Sequence, residues 1–198
     1  SQYAFAVYPI AVQATGATAV VTAALPAGSA MELGHDLAAM ASAISPATRL
    51  IFIANPNNPT GTWVPAAELE AFIASVPDHA LVVLDEAYFE YVTNPDHETF
   101  IPMAVQDPRI IVARTFSKAY GLAGMRVGAM IASPAILAPI RKVMPLFNLN
   151  VVAVAALRAT WLLPRAYDPH RPADRLMGRH RRAMAPLAVP APLAAPVP

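Results

Sequence analysis

The stretch Arg114–Gly128 reads RTFSKAYGLAGMRVG, placing Lys118 after a hydroxyl residue, ahead of three glycines and eight positions before Arg126. Lys118 is one of only two lysines in the chain, the other being Lys142. Upstream, NPNNPTG carries Asn55, Asn57 and Asn58, and LVVLDEAY carries Asp85, Glu86 and Tyr88. Together these segments offer amides, a carboxylate beside a phenol, and hydroxyls beside an amine. Brought to one place, such a convergence of polar groups is what a functional site needs. Each also has a plainer reading. Asn, Pro and Gly are turn residues, Asp85 could cap a helix over 86–91, and Lys118 could be an ordinary surface lysine. The ordered set Asn58, Asp85, Tyr88, Ser117, Lys118 and Arg126 favours a common site over separate coincidences.

Such groups need elements that present them together. The runs ATAVVTAAL (17–25), RLIFIAN (49–55), ALVVLDEAY (80–88), RIIVART (109–115) and RVGAMIA (126–132) read as short buried strands. Continuous apolar runs, rather than alternation, suit a sheet covered on both faces. Helices are expected over 6–15, 35–44 and 65–75; the last has Pro65 near its first turn and Leu69, Phe72 and Ile73 on one stripe. Strands alternating with helices predict an α/β fold with a mostly parallel sheet, in which ligands bind beyond the carboxyl ends of the strands. Three consecutive strand ends then deliver Asn58, Asp85 with Tyr88, and Thr115 with Ser117 and Lys118.

Composition narrows the partners. Of 198 residues, 56% are hydrophobic and 14% charged, a globular balance rich in alanine. No apolar run reaches the roughly 18 residues of a membrane span. The opening SQYAFAVY has no basic region of the kind that begins a secretory leader, so none is expected. Zero cysteines exclude disulfides and thiolate metal sites and fit a cytoplasmic location. The five histidines are dispersed without metal-ligand spacing, so no metal is expected. The net charge of +1 favours no polyanion but hides an asymmetry. Residues 1–157 carry 7 basic against 11 acidic residues, whereas 158–198 carry 7 arginines against Asp168 and Asp174. That tail also holds 8 of the 21 prolines and lacks a sustained helical period, as low-complexity segments do. Its basic run RLMGRHRRAM has no interleaved aromatics, so a solvated segment is expected rather than a nucleic-acid or membrane patch.

Three segments carry a resemblance. NPNNPTG, DEAYFEY and TFSKAYGLAGMRVG match, in order, signatures of pyridoxal-phosphate enzymes of fold type I, the aspartate-aminotransferase fold. From Asn58 to Asp85, to Lys118 and to Arg126 the intervals are 27, 33 and 8 positions. Within that family the chain most resembles the histidinol-phosphate aminotransferase group, through YAFAVYPIAVQATGA and RKVMPLFNLN as well. The match covers roughly residues 1–157.

The resemblance implies a three-layer α/β/α fold and pyridoxal 5'-phosphate as cofactor. It implies that Lys118 bonds covalently to the cofactor and moves the substrate α-proton, which requires a desolvated amine near cations. Asp85 corresponds to the carboxylate that keeps the ring nitrogen protonated, and Asn58 and Tyr88 to donors to the phenolic oxygen. Thr115, Ser117 and Arg126 correspond to the phosphate ligands. Phe5 aligns with the aromatic that stacks on the ring, with Tyr3 and Tyr8 close by as alternatives.

Residues 1–150 are thus expected to be a partial cofactor-binding large domain, and 151–198 a helical start followed by a poorly ordered Arg/Pro/Ala-rich tail. Family members have an N-terminal arm, a phosphate-binding glycine loop and a small domain with the arginine that grips the substrate carboxylate. No counterpart of these is evident here, so the small domain is expected to be missing or degenerate. The 198 residues alone are expected to bind cofactor weakly and turn over little. The implied reaction is transamination between histidinol phosphate and 2-oxoglutarate in histidine biosynthesis, by a homodimer of the complete protein. Aromatic amino-acid transamination or same-fold decarboxylation are alternatives. A non-catalytic remnant of the cofactor domain is the alternative of a different class.

Overall fold

Four of the five apolar runs pair into one sheet in the computed structural model, which describes residues 1–162. Its strands are β1 (Leu50–Ala54), β2 (Leu81–Asp85), β3 (Ile110–Thr115) and β4 (Gly128–Ala132), side by side in that order. β1, β2 and β3 run parallel, with Ile51 opposite Val82 and Val82 opposite Ile110. β4 returns antiparallel to β3, with Thr115 opposite Gly128. The glycine is sterically required there, because a Cβ on residue 128 would stand 2.7 Å from the Arg114 carbonyl oxygen.

Side chains of a strand point alternately to the two faces of the sheet, and here both faces are covered. Ile53, Val82, Leu84, Ile110 and Val112 join the larger core. There they meet Met40 of α2 (Leu37–Ser42), Leu69, Phe72 and Ile73 of α3 (Ala66–Ser75), and Ile101 and Ala104 of α4 (Ile101–Gln106). On the other face Leu81, Val83, Ile111 and Ala132 meet Ile136, Leu137 and Ile140 of α5 (Pro134–Val143). This is the expected three-layer α/β/α arrangement with a mostly parallel sheet.

Local sequence explains where the helices start. Asp36 caps α2 by accepting from the Ala39 N–H at 2.9 Å. Pro65 precedes α3 and Pro134 opens α5, where a missing N–H costs nothing. Two further helices stand near the two ends of the described residues, α1 (Val7–Ala14) and α6 (Val151–Leu162). The Arg/Pro/Ala-rich tail expected after the helical start lies outside the described residues.

One expected strand is absent. Residues 17–25 make only an isolated bridge between Ala24 and His35, and Val20 and Val21 are exposed. Val-rich sequence fits a half-buried pleated surface, but without a neighbouring ladder and a covering layer the preference has nothing to act on. The 80–88 run also stops early. The strand ends at Asp85, and the chain turns through a short 3-10 segment at Phe89–Tyr91 instead of continuing as strand or as a helix over 86–91.

Candidate active site

The parallel strands end at one edge of the sheet, and their following loops wall a cleft of about 340 Å³. All eight residues singled out from sequence line it: Phe5, Asn58, Asp85, Tyr88, Thr115, Ser117, Lys118 and Arg126. Asp85 and Thr115 are the last residues of β2 and β3. Arg126 reaches the same edge because β4 is antiparallel, so the chain leaves at Thr115 and returns just before Gly128. Its backbone is left-handed, φ 51° and ψ 49°, an unfavourable conformation for a residue with a Cβ and one that concentrates at functional sites.

Each polar group has defined partners. Asp85 Oδ1 accepts from the Ala87 N–H at 3.0 Å, and Oδ2 accepts from the Tyr8 hydroxyl at 2.6 Å. The Tyr8 phenol is pushed far above its ordinary pKa, chiefly by burial and further by the adjacent Asp85 charge and hydrogen bond. Asn58 Nδ2 donates to the Tyr88 hydroxyl at 3.3 Å, pairing two groups from different loops. Lys118 Nζ lies 5.1 Å from the centroid of the Tyr88 ring, within cation–π range. Thr115 Oγ1 accepts the Ser117 N–H at 3.1 Å, which folds the hydroxyl loop at the strand end. Arg126 donates to the Ala123 carbonyl at 2.8 Å and makes no ion pair among the described residues. Lys118 and Arg126 are both exposed. The amine is thus not yet in the desolvated setting expected of it, because the cleft is open on its side.

The three asparagines of NPNNPTG divide their work. Asn55 is buried and clamps Val64, donating to its carbonyl at 3.0 Å and accepting its N–H at 2.8 Å. Asn57, also buried, donates to the Tyr3 carbonyl at 2.6 Å and so ties down the segment carrying Phe5 and Tyr8. Only Asn58 faces the cleft.

Two buried histidines brace this loop from below. His35 Nε2 donates to the Ala54 carbonyl at 2.9 Å and His97 Nε2 to the Asn55 carbonyl at 3.3 Å. Both Nδ1 atoms are buried without a partner, and burial lowers both pKa values. A proton that the unfolded chain accepts near pH 6.5 is refused by the folded one, so this contribution weakens as pH falls below about 6.5. His97→Gln keeps a donor but cannot titrate. It is expected to lose less unfolding free energy than the wild type between pH 7 and pH 5 in urea denaturation; equal losses would show that His97 does not titrate in this way.

Two participants escaped the sequence reading. Tyr8 was noted only as a neighbour of Phe5, and no spacing links it to Asp85. Arg114, the other, is buried and ion-paired with both Glu86 and Glu90. Glu86 also accepts from Thr99 Oγ1 and the Phe100 N–H, and Phe89 lies 4.1 Å beneath the Arg114 guanidinium. Burial raises the pKa of both glutamates despite the arginine, since one cation cannot fully offset two desolvated carboxylates. An arginine within an apolar strand was the available signal, because a buried guanidinium demands carboxylates and DEAYFE supplies them.

The profile of the family described as "Aminotransferase class I and II" matches residues 1–189. The chain belongs to the class I and II aminotransferases. Among curated aminotransferases, histidinol-phosphate aminotransferase 1 of Cupriavidus pinatubonensis is 48% identical over 175 residues, covering 86% of this chain and 45% of the relative. Histidinol-phosphate aminotransferase 2 of Hydrogenovibrio crunogenus is 51% identical over 159 residues, covering 80% and 41%. Among solved structures, histidinol-phosphate aminotransferase from Sinorhizobium meliloti, in complex with pyridoxal-5'-phosphate, superposes with a TM-score of 0.71 at 29% identity. That superposition covers 92% of this chain and 44% of the other. This chain therefore spans less than half the length of these relatives.

Proposed function

We propose that this chain carries the pyridoxal-phosphate site of an aminotransferase that exchanges the amino group of histidinol phosphate with 2-oxoglutarate. The observation that carries the reading is the meeting of the whole donor set in one cleft. A ring nitrogen, a phenolic oxygen, an aldehyde and a phosphate require a carboxylate, neutral donors, an amine, and a cation with hydroxyls. The cleft has Asp85, then Asn58 with Tyr88, then Lys118, then Arg126 with Thr115 and Ser117. Its volume lies in the usual range for cofactor sites. The residues fit the group.

When bound, pyridoxal phosphate supplies the electron sink for the pair left behind as the substrate α-proton departs. Lys118 Nζ would anchor the cofactor covalently and would take up the substrate α-proton. Asp85 would hold the ring nitrogen, Asn58 Nδ2 and the Tyr88 hydroxyl would donate to the phenolic oxygen, and Phe5 would form the aromatic wall. Arg126, Thr115 and Ser117 would hold the phosphate. Residues 1–150 form the cofactor-binding part, with residues 151–198 appended.

The histidinol-phosphate assignment is supported by relatives of that name at 48% and 51% identity. A homodimer of the complete protein is proposed, in keeping with exposed apolar side chains at Val143, Leu146, Phe147 and Val151. A cytoplasmic location is proposed, in keeping with zero cysteines. No helix among the described residues is long and apolar enough to cross a membrane.

The test is a panel of amino donors offered with 2-oxoglutarate, read by glutamate formation. Histidinol phosphate is expected to be the best donor, and preference for an aromatic amino acid would overturn the substrate assignment. Asp85→Asn tests the site itself. It is expected to keep covalent capture of the cofactor by Lys118 while slowing exchange of the donor α-proton with solvent deuterium about 10²–10³-fold, the range for losing one preorganised electrostatic contact. Exchange at the wild-type rate would remove Asp85 from this role.

A further inference from the structure

Tyr8 lies 77 positions from Asp85 in the chain, yet its hydroxyl donates to Asp85 Oδ2 at 2.6 Å. The sheet holds the phenol in place. Its ring stacks on Phe52 of β1, with centroids 5.0 Å and planes 19° apart, and meets the Phe5 ring edge-on at 5.8 Å. The other carboxylate oxygen is taken by the Ala87 N–H, so Asp85 has one donor on each oxygen and cannot turn freely. Each oxygen keeps a second lone pair for a further donor in the cleft. Burial and the Asp85 charge keep the Tyr8 phenol protonated, hence a donor, well beyond the ordinary tyrosine range.

We propose that Tyr8 is a positioning residue for Asp85, fixing the carboxylate and keeping a proton shared with a cofactor ring nitrogen on the nitrogen. The inference rests on the pyridoxal-phosphate reading of the cleft. A hydroxyl donated to a carboxylate stabilises the anion and lowers its affinity for a proton. Without that donor one Asp85 oxygen loses its fixed partner, and only the Ala87 N–H still orients the carboxylate. Its hold on a protonated ring nitrogen is then weaker, and the ring keeps less of the positive charge that lets it accept electrons. Groups behind a direct ligand commonly act in this way, orienting it and setting its basicity.

The experiment uses the full chain loaded with pyridoxal phosphate labelled with ¹⁵N in the ring, and compares wild type, Tyr8→Phe and Asp85→Asn. Phenylalanine keeps the ring stacked on Phe52 and removes only the hydroxyl. Borohydride fixation at Lys118 reports capture, and the ¹⁵N resonance reports ring protonation. Tyr8→Phe is expected to retain capture while its resonance moves part of the way from the wild-type position toward that of Asp85→Asn. A purely structural role for Tyr8 would leave that resonance unmoved. An unmoved resonance with normal capture overturns the proposal and leaves the cofactor reading standing. A wild-type chain that captures no cofactor at Lys118 overturns both. Cofactor-free protein gives an independent check. The short Tyr8–Asp85 bond is expected to give a far-downfield phenolic proton, absent from both variants, and its absence from wild type also overturns the proposal.

Discussion

Lys118→Ala is expected to keep the fold and to lose every trace of a borohydride-fixed cofactor adduct. The side chain is exposed at the cleft rim, so its removal costs little stability. Chemically it is irreplaceable. The only other lysine, Lys142, lies in the last turn of α5, on the far side of β4 in sequence and away from the cleft lining. On the proposed reading, loss of both the covalent anchor and the proton carrier should lower whatever transamination the chain supports at least about 10²–10⁴-fold, the contribution typical of a general acid–base alone. Peptide mapping after reduction with borohydride checks the anchor directly. A labelled peptide containing Lys142, in wild type or variant, would show that the wrong amine has been assigned.

Arg114→Met should produce the largest loss of stability. It leaves Glu86 and Glu90 buried, at 2% exposure each, without their cation. Breaking a buried pair from one side typically costs about 3–5 kcal/mol. The pH dependence provides a second signature. Burial already raises both glutamate pKa values, and removing the arginine raises them further. A raised folded pKa gives stability that is complete below the ordinary carboxylate value of about 4.3 and is lost as pH rises through the folded value. Arg114→Met should therefore be weakest near pH 8 and recover part of its deficit toward pH 5. Urea midpoints across that range measure it. A deficit below about 1 kcal/mol at pH 8 would show that the ionic cluster contributes little to the fold.

Much of this was legible in the sequence for a definite reason. A strand covered on both faces must be apolar throughout, so LIFIA, LVVLD and IIVAR stand out, and the first polar residues after them are at the sheet edge. That placed Asn58, Asp85, Tyr88 and Lys118 before any fold was known. The same logic misread 17–25, where Val20 and Val21 have the composition of a strand without a partner. It also passed over α5, whose interior Pro139 argues locally against a helix that packing on Ile111 and Ala132 nonetheless supports. The Tyr8–Asp85 bond and the Arg114 cluster join residues 77 and 24 positions apart. No local period encodes such contacts. They follow only once the strand order is fixed.

The hexapeptide Asp85–Glu90 is, in effect, two interleaved messages. Asp85 and Tyr88 line the cleft, while Glu86 and Glu90 are buried and ion-paired with Arg114. Natural variation meets this stretch through two separate filters. On the proposed reading, a change at 85 or 88 is expected to yield a folded protein with impaired chemistry, whereas a change at 86 or 90 is expected to thin the supply of folded protein. More expression or a chaperone can compensate for the second kind of damage but never for the first.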